Sequence, residues 1–190
     1  MMKAVLICGS PRKNGSTSKI LNEISHALHE NGFDISQHFI NDLEIGYCGG
    51  HKTCEITGAC IQHDDVQKVV NDMFSAQLVV VASPSYWGDI TGQLKVFIDR
   101  CTPYCNTNPA RISKANGTKG IAVAIRAGSN KSENENLVHT IEHFLGHLDI
   151  PLLAGFTAEG INTPDDLEGK AEVLKDAFNF GKSITAASLK

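Results

Sequence analysis

The chain has 190 residues, a formal net charge of −4 at pH 7 and an isoelectric point near 6.0, which gives no support to a nucleic-acid partner. Its 42% hydrophobic and 20% charged residues suit a single globular domain over residues 1–190 with a sizeable core. No apolar run reaches membrane-spanning length, and a first strand starting at Lys3 leaves no room for a signal peptide, so the expected location is cytoplasmic. In that compartment six cysteines read as buried thiols, metal ligands or redox groups, not as a disulfide framework.

Ala4-Val5-Leu6-Ile7-Cys8 reads as a buried strand, and Ile20, Leu21, Ile24, Ala27 and Leu28 recur at helical spacing. Between them lies Gly9-Ser10-Pro11-Arg12-Lys13-Asn14-Gly15-Ser16-Thr17-Ser18. A strand, a Gly-rich polar loop and a helix start make an anion cradle, because unpaired amides and the helix dipole point into the loop. Ser10, Ser16, Thr17 and Ser18 add hydroxyls, and Arg12 or Lys13 a full charge. The loop has neither the G-x-G-x-x-G of a dinucleotide site nor the Gly-Lys-Ser/Thr of a Walker loop. A hydroxyl-rich loop of this kind suits a monophosphate ester. The alternative is an ordinary turn in which Ser16 or Thr17 caps the helix.

The first helix is expected from Ser16 to Asn31, stopped by Gly32, and a second strand from Phe33 to Ile40. Asn41 to His63 is irregular. Asp64-Asp65 opens a helix with Val66, Val69, Val70, Met73 and Phe74 on one face, the aspartates set against its dipole. Leu78-Val79-Val80-Val81-Ala82 is continuously apolar, as a central parallel strand covered on both faces should be. Ser83 to Asp89 is a second loop, followed by a helix with Leu94, Phe97 and Ile98 inward. A polar stretch, Cys101 to Thr118, leads to a fourth strand, Gly120 to Ile125, and a third loop, Arg126 to Asn130. Leu137, Ile141, Phe144, Leu145 and Leu148 mark the next helix, and Pro151 to Thr157 the fifth strand. Thr163-Pro164-Asp165-Asp166 starts one last helix carrying Val173, Leu174, Ala177, Phe178 and Ile184.

Alternating strands and helices define an α/β fold with a doubly wound parallel sheet. Ligands in such sheets bind at the strands' C-terminal ends, where the strand order switches. Three loops meet there: the phosphate loop, the turn with Tyr86 and Trp87, and Arg126–Asn130, which could close over a ligand. A phosphate site beside an aromatic site describes a phosphorylated, planar, conjugated guest.

Gly9-Ser-Pro-Arg-Lys-Asn-Gly-Ser-Thr17, Pro84-Ser-Tyr-Trp-Gly88 and Gly92-Gln-Leu-Lys-Val-Phe-Ile-Asp-Arg100 together resemble the flavodoxin-fold NADPH-dependent FMN reductase family, close to its iron–sulfur flavoproteins. The resemblance runs from about Lys3 to Asp176. It implies a three-layer α/β/α sandwich on a five-stranded parallel sheet of order 2-1-3-4-5. It also implies a homodimer or homotetramer that completes the flavin site. By it, Ser10, Arg12, Asn14, Ser16, Thr17 and Ser18 hold the FMN phosphate. Pro84, Ser85, Tyr86, Trp87 and Gly88 line the flavin ring.

Iron–sulfur flavoproteins carry four closely spaced cysteines. Here the motif is Cys48-Gly-Gly-His51-Lys-Thr-Cys54-Glu-Ile-Thr-Gly-Ala-Cys60, with His51 where the second cysteine belongs. A loop without metal is the preferred reading. Three thiolates and an imidazole also make a zinc set, and histidine replaces cysteine at some iron–sulfur centres.

His139, Glu142 and His143 spell H-x-x-E-H. With His147 they point away from the apolar stripe, so a solvent or subunit face is expected, not a cleft. Cys8 is expected in the core. Cys101 and Cys105 are expected as buried thiols, with a redox pair as the alternative.

The functional expectation is an FMN-dependent oxidoreductase that takes hydride from NAD(P)H and passes electrons to a quinone, a flavin or another acceptor. The alternative is an electron-transfer flavoprotein serving redox-protein partners. The cofactor carries the chemistry, so no catalytic side chain is named.

Overall fold

A computed structural model of the chain describes residues 2–190. Five strands, β1 (Met2–Cys8), β2 (Phe33–Phe39), β3 (Leu78–Pro84), β4 (Lys119–Ile125) and β5 (Leu152–Ala158), form one sheet in the order β2-β1-β3-β4-β5. All neighbours run parallel, with Cys8 opposite Phe39 on one side and Ala82 on the other. The central strands are buried on both faces because helices cover each.

Side-chain alternation divides the core in two. Val5, Ile7, Val79, Val81, Ala122 and Ala124 pack under α3 (Val66–Ser75), α4 (Gly92–Arg100) and α5 (Lys131–His147). Ala4, Leu6, Val80, Ala82, Ile121 and Val123 pack under α1 (Ser16–Glu30) and a C-terminal helix. The three central strands are covered on both faces, as their continuous apolar runs require, while the edge strands β2 and β5 stay partly exposed.

Two elements differ from expectation. The irregular segment opens with a 3-10 turn at Ile40–Asp42 and contains one α-helical turn, α2 (Cys54–Thr57), ended by Gly58 at φ +74°. The expected last helix is two, α6 (Pro164–Glu168) and α7 (Ala171–Ser183). The start is as expected: Asp166 accepts from the Thr163 amide at 2.7 Å and the Asn162 amide at 2.8 Å. The break follows at Gly169, a poor helix former, where the Lys170 ammonium donates to the Glu159 and Gly160 carbonyls at 3.1 Å each.

The strand order reverses between β1 and β3, and the loops after both strands open at that edge.

Candidate functional site

The loop after β1 is shaped around Gly9. Its amide donates to the Ala82 carbonyl at 2.8 Å. A Cβ here would lie 2.9 Å from Leu94 Cβ and 3.1 Å from that carbonyl, so only glycine passes. Further on, the Arg12 amide donates to Ser10 Oγ at 3.2 Å, and Ser18 Oγ and the Gly15 amide donate to the Arg12 carbonyl at 3.2 and 3.0 Å. Gly15 is the N-cap of α1 and leaves its end without a side-chain cap. The first bond back into the helix is from the Lys19 amide to the Gly15 carbonyl at 3.1 Å, so the amides of Ser16, Thr17 and Ser18 have no intrahelical acceptor.

Ser10, Ser16, Thr17 and Ser18 are 3, 5, 3 and 2% exposed. Ser16 Oγ is buried with no partner, which costs about 1–3 kcal/mol unless a guest satisfies it. The alternative of a self-capped turn is therefore not what forms. An unpartnered hydroxyl beside three free amides at the positive end of a helix suits an anion. Arg12, Lys13 and Asn14 are exposed; Arg12 Nη2 donates to the Asn162 carbonyl at 3.0 Å and Lys13 pairs with Asp42 at 2.6 Å. The buried part of the cradle is thus amide and hydroxyl, and its fixed charge is engaged by neighbours.

The loop after β3 is a tight turn. Tyr86 and Asp89 exchange backbone bonds at 2.8 and 3.2 Å, and Trp87 and Gly88 between them have φ +58° and +80°. Two positive φ values in the central positions are those of a type I′ turn, an uncommon conformation for a tryptophan. Tyr86 is 42% exposed and Trp87 fully exposed at 104%. Helix α5 braces the turn: Asn136 Nδ2 donates to the Gly88 carbonyl at 2.8 Å and Thr140 Oγ1 to Asp89 at 3.4 Å. The braced turn thus holds a bare indole outward and presents an open aromatic face. Pro84 ends β3 opposite Ile125, and Ser85 follows with its amide on the Ile125 carbonyl at 2.7 Å.

Residues that sequence reasoning did not single out tie these loops together. Thr91 is fully buried; its Oγ1 donates to the Gly9 carbonyl at 2.6 Å and accepts the Leu94 amide at 3.3 Å as N-cap of α4. A threonine before Gly92-Gln93-Leu94 signals a cap, but nothing in the sequence signals its bond to Gly9. Glu133 joins the other two loops, accepting from Ser85 Oγ at 3.3 Å and pairing with Arg126 at 3.0 Å. Arg126 Nη1 also donates to the Asn130 carbonyl at 2.6 Å, which folds the third loop on itself.

The cysteine segment is anchored by Arg100, only 2% exposed at the end of α4. Its guanidinium pairs with Asp64, donates to the Gly46 carbonyl at 2.8 Å and Gln62 Oε1 at 2.9 Å, and reaches Cys60 Sγ at 3.6 Å. Burial would raise the Asp64 carboxyl, but the Arg100 hydrogen bond and the Gly46 and Val66 amides outweigh it and hold it below the usual range. Asp64 thus does more than face the α3 dipole: it locks the segment. Cys48, His51, Cys54 and Cys60 line one cavity of about 30 Å³. Burial and the neighbouring Cys60 thiol push the Cys54 thiol up. That space takes about one or two water-sized guests. Among the described residues no three His, Cys, Asp or Glu side chains are disposed around one metal position. The four donors line one small space without being disposed around a single point.

The remaining thiols and histidines part company. Cys8 and Cys101 are buried, and burial pushes both thiols up. Cys105 is half-exposed, so the pair of buried thiols is not formed. His139 is exposed beside Glu142 at 3.8 Å, as expected. His143 and His147 line a cavity of about 770 Å³ between α4, residues 101–109 and α5. His143 is exposed, as expected, at the mouth of this cavity, whereas His147 is partly covered because the 101–109 segment folds up against the C-terminal half of α5; the Asn106 amide donates to the His147 carbonyl at 2.7 Å.

A doubly wound sheet whose switch point carries an anion cradle and an open aromatic face defines the class: a flavodoxin-like flavoprotein fold. The profile of the NADPH-dependent FMN reductase family matches residues 2–161, and the chain belongs to that family. An iron–sulfur flavoprotein of Archaeoglobus fulgidus is 37% identical over 187 residues, covering 98% of this chain and 80% of that protein. Two solved structures share the fold. An NAD(P)H:quinone oxidoreductase from Methanothermobacter marburgensis superposes with a TM-score of 0.72 at 14% identity, over 95% of this chain and 94% of that one. A flavone reductase gives 0.74 at 14% identity; 98% of this chain is covered but only 63% of the longer reductase. Among the described residues no helix is long and apolar enough to cross a membrane.

Proposed function

We propose that the protein binds FMN at the β1 and β3 loops and uses it to oxidise NAD(P)H, passing the electrons to a small acceptor such as a quinone or flavin. The observation that carries this reading is the orphaned Ser16 hydroxyl among the free amides of Ser16, Thr17 and Ser18, facing the same edge as the bare Trp87 indole.

Bound FMN would supply a two-electron centre that accepts hydride and returns electrons singly or in pairs. The chain's own residues hold and orient. Ser10, Ser16, Thr17 and Ser18 take the phosphate by hydroxyl and amide donors. Pro84, Ser85, Tyr86, Trp87 and Gly88 edge the ring. Arg12 and Asn14 stand at the outer rim of the cradle. Glu133 and Arg126 fix the third loop alongside, where it limits water above the ring. No side chain is assigned a proton transfer. Full exposure of Trp87, with Tyr47 at 82%, favours a homodimer or homotetramer in which a second copy covers the ring site.

The test is anaerobic titration of the FMN-loaded protein with NADH and with NADPH. Bleaching of the flavin band by either nucleotide within seconds is the expected result. A bound flavin that neither nucleotide reduces would end the reductase reading. It would favour the alternative, an electron carrier for redox proteins, which the similarity to iron–sulfur flavoproteins supports. In that alternative Cys48, His51, Cys54 and Cys60 would hold an iron–sulfur cluster or zinc after rearrangement. Iron and zinc analysis of anaerobically purified protein decides it.

A further inference from the structure

A sizeable cavity lies away from the flavin loops. It opens between α4, residues 101–109 and the C-terminal half of α5, from which the chain returns to the start of β5. Its volume, about 770 Å³, is that of a small-molecule site. Ile56, Ile98, Phe144 and Leu148 give it an apolar wall.

On the same wall stand Cys105 and His147. Cys105 Sγ lies 3.4 Å from His147 Nδ1 and 3.1 Å from Thr107 Oγ1. Asn106 Oδ1 lies 3.2 Å from the same Nδ1. Its amide nitrogen donates to the Gly146 carbonyl and the Asp149 carboxylate, each at 3.2 Å, which fixes the amide with its oxygen toward the imidazole. Nδ1 therefore faces a sulfur that can give up a proton and a carbonyl that welcomes a proton once it has moved. The Thr107 hydroxyl can donate to the sulfur left behind. This is a nucleophile, a base and an orienting group within hydrogen-bond reach. The phosphate and ring loops use none of these residues.

We propose that Cys105 is a nucleophilic thiol, activated by His147, that adds to conjugated carbonyl compounds held in this cavity. The Sγ–H proton passes to His147 Nδ1 and the sulfur lone pair forms an S–C bond to the β-carbon of the electrophile. The carbon–carbon π pair shifts toward the carbonyl, and the imidazole returns the proton to the α-carbon. One thiol adds across one double bond, with no oxidant or reductant consumed. The apolar wall selects for a flat or aliphatic body on the electrophile, and a soft thiol prefers a conjugated carbon.

The test uses the full-length FMN-loaded protein, N-phenylmaleimide and the smaller N-methylmaleimide, with free N-acetylcysteine as reference thiol in the same tube. Labelling at each cysteine is followed by quench, digestion and mass spectrometry. Cys105 is expected to react at least tenfold faster in the wild type than in His147→Gln, while His139→Gln, at an exposed imidazole outside the cavity, leaves its rate within twofold. The phenyl-to-methyl rate ratio at Cys105 is expected to exceed that of N-acetylcysteine severalfold. It should fall back toward the reference in Ile56→Lys, an exposed position on the cavity wall that does not contribute to the core. Equal Cys105 rates in wild type and His147→Gln would overturn the activation. A phenyl-to-methyl ratio equal to that of the free thiol would overturn the cavity as the binding site.

Discussion

Ser16 shows what one side chain can disclose. Its hydroxyl is buried without a partner, so the ligand-free protein bears a cost that phosphate binding would remove. Ser16→Ala should therefore have opposite signs in two measurements. The thermal midpoint without FMN should stay level or rise, while the FMN dissociation constant rises about tenfold or more, as for loss of one charge-assisted bond. Calorimetry and fluorescence titration read the two effects separately. Trp87 gives the complementary case. Because it is fully exposed, Trp87→Ala should change the stability of ligand-free protein by no more than about 0.5 kcal/mol, yet weaken flavin binding in the same titration. Both proposals start from local signals in the sequence, hydroxyls after a glycine loop and adjacent aromatics in a turn. Thr91, Glu133 and Arg100 were not legible there, because their roles depend on partners many residues away.

Helices and strands were read well where one face is apolar: α1, α3, α4 and α5 fall where their periodicity put them. The misreadings lie where a polar interaction overrides the pattern. Gly169 and the buried reach of Lys170 split the last helix. Residues 101–109, polar and without periodicity, gave no sign that they cover His147 and build a cavity beside it.

At this scale α4 holds the cysteine segment through Arg100. Arg100→Ala leaves the half-buried Asp64 carboxylate without its charge partner, though still bonded to the Gly46 and Val66 amides, and should cost about 1–3 kcal/mol in urea unfolding. Limited proteolysis should then cut between residues 44 and 62 sooner than in the wild type. A second cluster joins α3 to the sheet edge. Asp72 receives the Lys3 ammonium, Ser36 Oγ at 2.6 Å and His38 Nε2 at 2.7 Å. Burial alone would raise its carboxyl, but these three partners outweigh it and hold the value at about 2. A folded value below the unfolded one gives stability that is complete above about pH 4 and lost as pH falls toward 2. Asp72→Asn should lose about 2 kcal/mol at pH 7, with the difference from wild type vanishing near pH 2 when unfolding is followed across that range.

For the molecule as a whole, function rests on topology. The reversal of strand order brings the ends of β1 and β3 side by side, so two loops some 70 residues apart in the chain share one edge. If FMN binds the native state alone, a hundredfold excess over its dissociation constant should add about 2.7 kcal/mol. For a chain of this length that is roughly 5–10 °C in thermal midpoint. Riboflavin, which lacks the phosphate, should give much less in the same scan.

The Thr91 hydroxyl fixes more than a loop. By fastening the Gly9 carbonyl to the first turn of α4, it sets the span between the β1 loop and the Trp87 turn as a ruler sets a length. The two ends of a guest cannot be accommodated by one wall drifting from the other. Discrimination should therefore fall on the tether. Flavin analogues whose sugar-alcohol arm is shortened or extended by one carbon would seat either their phosphate or their ring, and lose the other.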